Sequence, residues 1–287
     1  MCGICGIISL APKVSNNNNL AKMSSELVHR GPDMKGEWRS PSEELLLAHR
    51  RLSIHDLSPL GHQPMQTQNS RAIIAFNGEI YNFKTLRKEL EAKKDKVFLS
   101  TSDTEVLCEY IDSFGIETTL NIIEGMFAFA YYDLDLNILY LCRDRAGEKP
   151  LYYWLSEDKT EIYFSSELRS LLSGLPIRLD VDESALFEYF SLSYIAAPNT
   201  IMKGAKKIPP ATYATINLSH DFLSVDLQKY WSLPEKIIDI GYAEAKIQLD
   251  ILIQESIKDQ LEADVPVGAF LSGGVDSSAV VATMATN

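Results

Sequence analysis

Strand-like and helix-like runs alternate along the N-terminal part of this chain, and that alternation restricts it to layered folds. β-Branched and aromatic residues cluster between turn residues at 6–10, 73–76, 125–133 and 138–143, which predicts strands there. Helices are predicted at 20–29, 83–93 and 104–114. In the last of these Val106, Leu107, Tyr110, Ile111 and Phe114 recur at spacings of three and four, and Ser102 or Asp103 stands where a cap is needed. The polar run 16–19 is expected to be a loop. Elements that each carry one apolar face must bury it against another layer, so residues 1–195 are expected to form an α+β domain.

Beyond that point the pattern changes. Pro198, Pro209, Pro210 and Pro234 punctuate short strand-like pieces such as 212–217, so 196–241 is expected to connect two domains. A long amphipathic helix is predicted from Tyr242, with Leu249, Leu252, Ile253, Ile257 and Leu261 on one stripe. An apolar strand at 265–271, a Gly/Ser/Asp loop at 272–278 and a helix from Ala279 follow. This order is that of an α/β unit. The sequence ends at Asn287 before such a unit could complete a sheet, so 242–287 is expected to be the incomplete start of a second domain.

Composition narrows the partners. The 287 residues carry 39 acidic against 27 basic side chains, a net charge of −12, which disfavours nonspecific attraction to nucleic acid or an anionic membrane. No apolar run approaches the roughly 20 residues of a membrane-spanning helix, and MCGICGIISLAP lacks the charged start of a signal peptide. A cytoplasmic location is expected. The four cysteines, Cys2, Cys5, Cys108 and Cys142, are too scattered for a disulfide framework and are expected to be thiols. His49, His55 and His62 have no metal-ligand spacing, so no metal is assigned.

Cys2 stands one residue from the start. If Met1 is removed, thiol and α-amine lie on one residue, with reference pKa values of about 8.5 and about 7.7–8.0, so near neutral pH the amine can take the thiol proton. The thiolate is the nucleophile. By itself Cys2 reads equally as a small residue at a strand end, Asn77–Gly78 as a tight hairpin turn, and Asp103 as a helix cap.

The motifs HRGPD (29–33), LAHRRLSI (47–54), FNGEIYN (76–82) and STSDTEV (100–106) occur in order after MCGICGI. Together they resemble the class II glutamine amidotransferases. Continuing through GMFAFAYYD, RDRAGEKPLYY, SSEL and LSGGVDSS, the pattern resembles the glutamine-hydrolysing asparagine synthetase family over nearly the whole chain. The resemblance implies a four-layer αββα sandwich of the N-terminal-nucleophile type, followed by the start of a Rossmann-like ATP pyrophosphatase domain. It implies Cys2 as nucleophile, with the Asn77 side chain and the Gly78 N–H of an NGE turn as oxyanion donors. Arg51 matches the position that binds the glutamine α-carboxylate, and Glu79 and Asp103 those that bind its α-ammonium. Leu52, Ser53 and Ile54 would add backbone contacts, and His29 and Arg30 would lie in a loop over the substrate.

For SGGVDSS the same resemblance is to a pyrophosphate loop. Ser272, Gly273, Gly274, Asp276 and Ser277 would line the phosphates, Leu271 would lie near the base, and Asp276 would approach the Mg²⁺ that accompanies ATP. Glycines at such a turn let backbone N–H groups approach an anion closely. The implied chemistry has two halves, ammonia release from glutamine and ATP-dependent amidation of aspartate, and it leaves a homodimer open. Two alternatives are an amidotransferase with another acceptor, such as a sugar or peptide carboxylate, and a non-catalytic glutaminase-like binding module.

Overall fold

The computed structural model describes residues 1–286. In the first strand, β1 (Gly3–Ser9), Ile4 and Ile8 enter one apolar cluster while Cys5 and Ile7 enter another, and all four are fully buried. A strand whose two faces are both buried must be the inner layer of a sandwich. Its sheet also holds β2 (Met34–Arg39), β3 (Leu45–Arg51), β8 (Tyr152–Leu155), β9 (Glu161–Ser165) and β10 (Ala205–Lys207), in the order β10-β8-β9-β1-β3-β2. The second sheet holds β4 (Met65–Gln66), β5 (Ala72–Ile80), β6 (Gly125–Asp133), β7 (Ile138–Arg143), β11 (Thr212–Asn217) and β12 (Asp226–Lys229), ordered β12-β11-β7-β6-β5-β4. Every assigned strand pair is antiparallel.

The sheets pack face to face. Ile4, Ile8 and Leu47 from the first meet Ile73, Ala75, Ala130 and Leu141 from the second in a continuous apolar layer. On the outer face of the first sheet lie α1 (Val14–Ser25) and α5 (Leu168–Gly174), through Leu20, Met23 and Leu171. Outside the second lie α2 (Phe83–Lys94), α3 (Asp103–Phe114) and α4 (Ile116–Ile122), through Leu86, Leu90, Leu107 and Leu120. The αββα layering expected from the motifs is therefore present. α6 (Glu183–Leu192), α7 (Tyr242–Gln260) and α8 (Val275–Met284) follow.

Several local expectations are overturned. The asparagine-rich run 16–19 lies within α1, because Leu20 and Met23 anchor that helix to the sheet and tertiary burial outweighs local polarity. Residues 196–241, read as a connection, supply β10, β11 and β12 to the edges of both sheets. The apolar run 265–271 is not a strand among the described residues. It has no neighbour to pair with, and Phe270 is 99% exposed. α7 begins at Tyr242 as expected, but its apolar stripe is not buried.

One hydrogen bond crosses the sandwich. His49 on β3 lies 2.9 Å from the carbonyl of Phe76 on β5, and because a carbonyl only accepts, Nε2 carries the proton. Burial holds the imidazole neutral and lowers its pKa to about 3. In the unfolded chain the same group titrates near 6.5. Between these values the unfolded state binds the extra proton, so this stability is present above about pH 6.5 and declines as pH falls toward 3. Urea unfolding should show His49→Gln losing less stability than wild type on acidification, with a difference in slope approaching ~1.4 kcal/mol per pH unit. Equal slopes would assign the acid sensitivity elsewhere.

Candidate active site

Cys2 directly precedes β1, and β1 pairs with β3 so that Gly3 faces Arg50. This register places Leu52 beside the thiol. The Leu52 N–H donates to Cys2 Sγ at 3.4 Å, and Sγ lies 3.6 Å from the Leu52 carbonyl. Arg30 is buried, and its Nε donates to the Cys2 carbonyl at 2.8 Å while Nη1 pairs with Glu167 at 3.0 Å. Arg30 is thus a fixed support for the nucleophile's backbone rather than part of a loop over the substrate, and His29 is held by the same Glu167. Burial pushes the Cys2 thiol up, opposed by the Leu52 N–H, the chain terminus and Arg51. Burial also lowers the pKa of the terminal amine, here on Met1, and Arg30 and Lys149 reinforce that shift. Cys5 is wholly buried, and its thiol is pushed up by burial with no activating neighbour in contact, which suits packing rather than chemistry.

Cys2 opens onto a cavity of about 210 Å³ whose walls include Arg51, Leu52, Ile54, Asn77, Gly78, Glu79 and Asp103. Drug-sized ligands occupy roughly 300–1,000 Å³, so this volume suits a small metabolite. Of the residues expected here only Ser53 is absent from the wall. Its N–H is taken by Asp33 at 2.8 Å.

Asn77, Gly78 and Glu79 are not a turn. They continue β5, with Gly78 opposite Phe127 of β6. Phe127 spends its N–H and C=O on Asp144, at 3.2 and 2.9 Å, so Gly78–Phe127 is a pair without mutual hydrogen bonds. By the alternation of an antiparallel ladder the Gly78 N–H therefore faces the opposite edge of β5. On that edge the Phe76 N–H is taken by Gln63 Oε1 at 2.7 Å and the Ile80 N–H by Asp103 Oδ2 at 3.0 Å. Gly78 lies between them and donates no hydrogen bond to any described side chain. A Cβ at Gly78 would stand 2.2 Å from the Met126 carbonyl, so the close approach of β6 requires glycine. Asn77 is completely buried, and neither its Nδ2 nor its Oδ1 has a partner. Buried amides are nearly always satisfied.

The cavity carries opposite charges. Arg51 is 4% exposed and its guanidinium is held by the carbonyls of His55, Asp56 and Ser58 at 2.8, 2.6 and 3.3 Å. These contacts use Nη1 and Nη2, and no carboxylate pairs with the group. Glu79 and Asp103 are each raised above the usual carboxylate range, chiefly by burial, and the Asp103 charge adds to the rise at Glu79. Ser102 caps α3 by accepting from Thr104, so Asp103 is the first helical residue rather than the cap.

Sequence reasoning missed Gln63 and Lys149. Gln63 is buried, donates to Thr104 and accepts from Phe76, which spans the back of the cavity, and nothing local in the sequence marks it. Lys149 is 5% exposed, its ammonium contacts the Met1 and Met126 thioethers, and burial lowers its pKa against the opposing charges of Glu79, Glu148 and Asp144. It lies inside the RDRAGEKPLYY motif, which was the available signal.

The expected phosphate-loop residues lie apart from this cavity. Gly273 has φ +82 with open space around its missing Cβ, Gly274 precedes α8, and Ser272 and Ser277 share a hydrogen bond of 2.9 Å. Leu271 is exposed, and Asp276 lies in the first turn of α8.

Residues 1–231 match the profile of the glutamine amidotransferase domain family. The chain belongs to this family. Residues 248–287 match the asparagine synthase family. Among curated proteins, the chain is 36% identical over 290 residues to glutamine-hydrolysing asparagine synthetase 3 of Bacillus subtilis, covering 99% of this chain and 45% of that protein. It is 34% identical over 312 residues to putative asparagine synthetase 2 of Methanocaldococcus jannaschii, covering 99% and 57%. The chain therefore spans only part of the length of the curated relatives it matches. In fold it resembles the glutamine phosphoribosylpyrophosphate amidotransferase of B. subtilis, with a TM-score of 0.55 at 16% identity, over 99% of this chain and 64% of that one. The family resemblance carried by the motifs is thus borne out. Among the described residues, no helix is long and apolar enough to cross a membrane.

The unpaired Asn77 amide makes stability and function pull apart in this amidotransferase domain. Replacing both unsatisfied groups by an apolar side chain of similar shape removes a desolvation cost of about 1–3 kcal/mol. Asn77→Leu should therefore unfold at higher urea than wild type, and a lower midpoint would mean that the amide is satisfied in solution.

Proposed function

We propose that this chain hydrolyses glutamine to glutamate and ammonia, with Cys2 as nucleophile. The observation that carries the reading is the unpartnered, buried Asn77 amide beside Cys2, in a cavity with a guanidinium and two carboxylates on its walls. A free α-amino acid needs those opposite charges. Arg51 would take the α-carboxylate, and Glu79 and Asp103 the α-ammonium, whose charge would oppose the upward shift of both carboxyls. The side-chain amide then reaches Cys2.

With Met1 removed, the Cys2 amine accepts the thiol proton and the thiolate attacks the amide carbon. Charge gathers on the carbonyl oxygen, where Asn77 Nδ2 and the Gly78 N–H donate. Collapse breaks the C–N bond, and ammonia leaves carrying the proton returned by the amine. Water then hydrolyses the thioester, restoring the thiol and releasing glutamate.

We further propose the asparagine synthetase reaction as the one this domain serves, supported by the relatives and by the match over 248–287. Residues 242–287 would begin the ATP-dependent half. Its loop suits an anion, because Gly273 and Gly274 leave the N-terminus of α8 open. Ser272, Gly273, Gly274 and Ser277 would hold the phosphates, Leu271 would lie near the base, and Asp276 would approach Mg²⁺. There the aspartate β-carboxylate would be adenylated by ATP with release of pyrophosphate, and ammonia would then displace AMP.

Glutamate release should be lost in Cys2→Ala and in a chain that retains Met1, and full activity in either would overturn the assignment. Asn77→Ala should lower kcat by about 10²- to 10³-fold, as expected for a donor used chiefly by the oxyanion. An unchanged kcat with a raised KM would make Asn77 a ground-state contact.

Arg51→Ala and Asp103→Ala should raise the KM for glutamine while leaving Cys2 reactive toward iodoacetamide. Parallel loss of alkylation would assign these residues to folding instead.

A further inference from the structure

The segment leading toward the Ser272 loop touches the glutamine cavity at one place. The Asp264 N–H donates to the Ile54 carbonyl at 3.0 Å, and Asp264 Oδ2 accepts the Asp56 N–H at 2.7 Å. These two bonds clasp both sides of His55. Beside them Glu262 forms an ion pair with Lys84 on α2.

The clasped loop is the one that holds Arg51. The carbonyls of His55, Asp56 and Ser58 fix its guanidinium. Asp56 has φ +52, a conformation that a residue with a side chain adopts only when its surroundings hold it there. Its carboxylate helps by accepting from the Ser58 N–H at 2.9 Å and the Thr101 N–H at 2.9 Å. Burial pushes that carboxyl up, but the Ser58 and Thr101 hydrogen bonds and the Arg51 charge outweigh burial and keep it below the usual range. What remains is the Asp56 N–H, and Asp264 takes it.

We propose that Asp264 is a positioning residue for glutamine recognition: by clasping the 54–58 loop it fixes the carbonyls that aim the Arg51 guanidinium into the cavity. The inference rests on the glutaminase reading, and it adds a residue from outside the 1–231 match to the site. Asp264 touches neither the thiol nor the oxyanion donors, so its effect belongs in binding rather than in chemistry.

The test compares Asp264→Ala, Asp264→Asn and Lys84→Ala in glutamate release and in hydrogen exchange. Asp264→Ala should raise the KM for glutamine about tenfold, the scale of one hydrogen bond to a charged group, with kcat within about twofold. It should also speed exchange in residues 54–58. Asp264→Asn retains an acceptor and should restore both readouts, and Lys84→Ala, which breaks only the neighbouring ion pair, should leave both unchanged. An unchanged KM in Asp264→Ala, a failed rescue by asparagine, or an equal effect of Lys84→Ala would overturn the proposal. If the wild-type chain released no glutamate, the glutaminase reading would fall, whereas exchange in 54–58 would still decide whether Asp264 holds the loop.

Discussion

The hydrogen bond from His49 to the Phe76 carbonyl ties together the two sheets on which every part of the site depends. Cys2, Arg51 and Leu52 belong to the β1–β3 side, and Asn77, Gly78 and Glu79 to β5 on the other. No single element holds both Cys2 and the Asn77–Gly78 pair, so their geometry is set by how the sheets meet. Apolar packing between the sheets resists separation but is weakly directional. A single buried hydrogen bond one residue before Asn77 supplies direction, and burial of His49 keeps the imidazole in the neutral form that the interface can tolerate.

Much of this was legible in the sequence, for a physical reason. The strands at 125–133 and 138–143 are buried over most of their length and the helix at 104–114 over its first turns, so dense apolar composition marks them in the sequence. The site motifs were legible because each occupies a short run at an element end, as with Cys2 before β1 and Arg51 at the end of β3. Gln63 and Lys149 were not assigned, because their roles arise from contacts with distant residues such as Thr104 and Met126. The NGE segment misled in shape only. Its composition is that of a turn, but pairing with β6 keeps it extended, and the glycine answers to the approach of Met126 rather than to a reversal of the chain. The run 265–271 shows the converse error, since strand composition cannot form a ladder without a neighbour.

Arg51 shows how a buried cation is kept both stable and available. An uncompensated buried charge is expensive, and pairing it with a carboxylate would occupy the face that a substrate needs. Three backbone carbonyls instead take its hydrogen bonds, and its charge is felt by the Asp56 carboxylate. The cost moves into the loop that supplies them, visible as the left-handed backbone of Asp56 and the hydrogen bonds that converge on its carboxylate. Glu79 and Asp103 present the complementary case, two carboxylates each raised mainly by burial, with the Lys149 charge opposing that rise at Glu79. A zwitterion relieves both ends of the cavity at once, whereas a ligand with one charge relieves only one.

The edge of β5 makes the same point at atomic scale. Along it the Phe76 and Ile80 N–H groups are each taken by a buried side chain from another element, Gln63 and Asp103. The fold thus has the means to satisfy that edge and does so on both sides of Gly78. Between those two satisfied positions Gly78 donates to no described side chain, and the adjoining Asn77 amide has no partner. A pair of donors left open between satisfied ones is what preorganisation for an oxyanion requires, because donors already spent on the protein would have to be broken free before they could stabilise the developing charge.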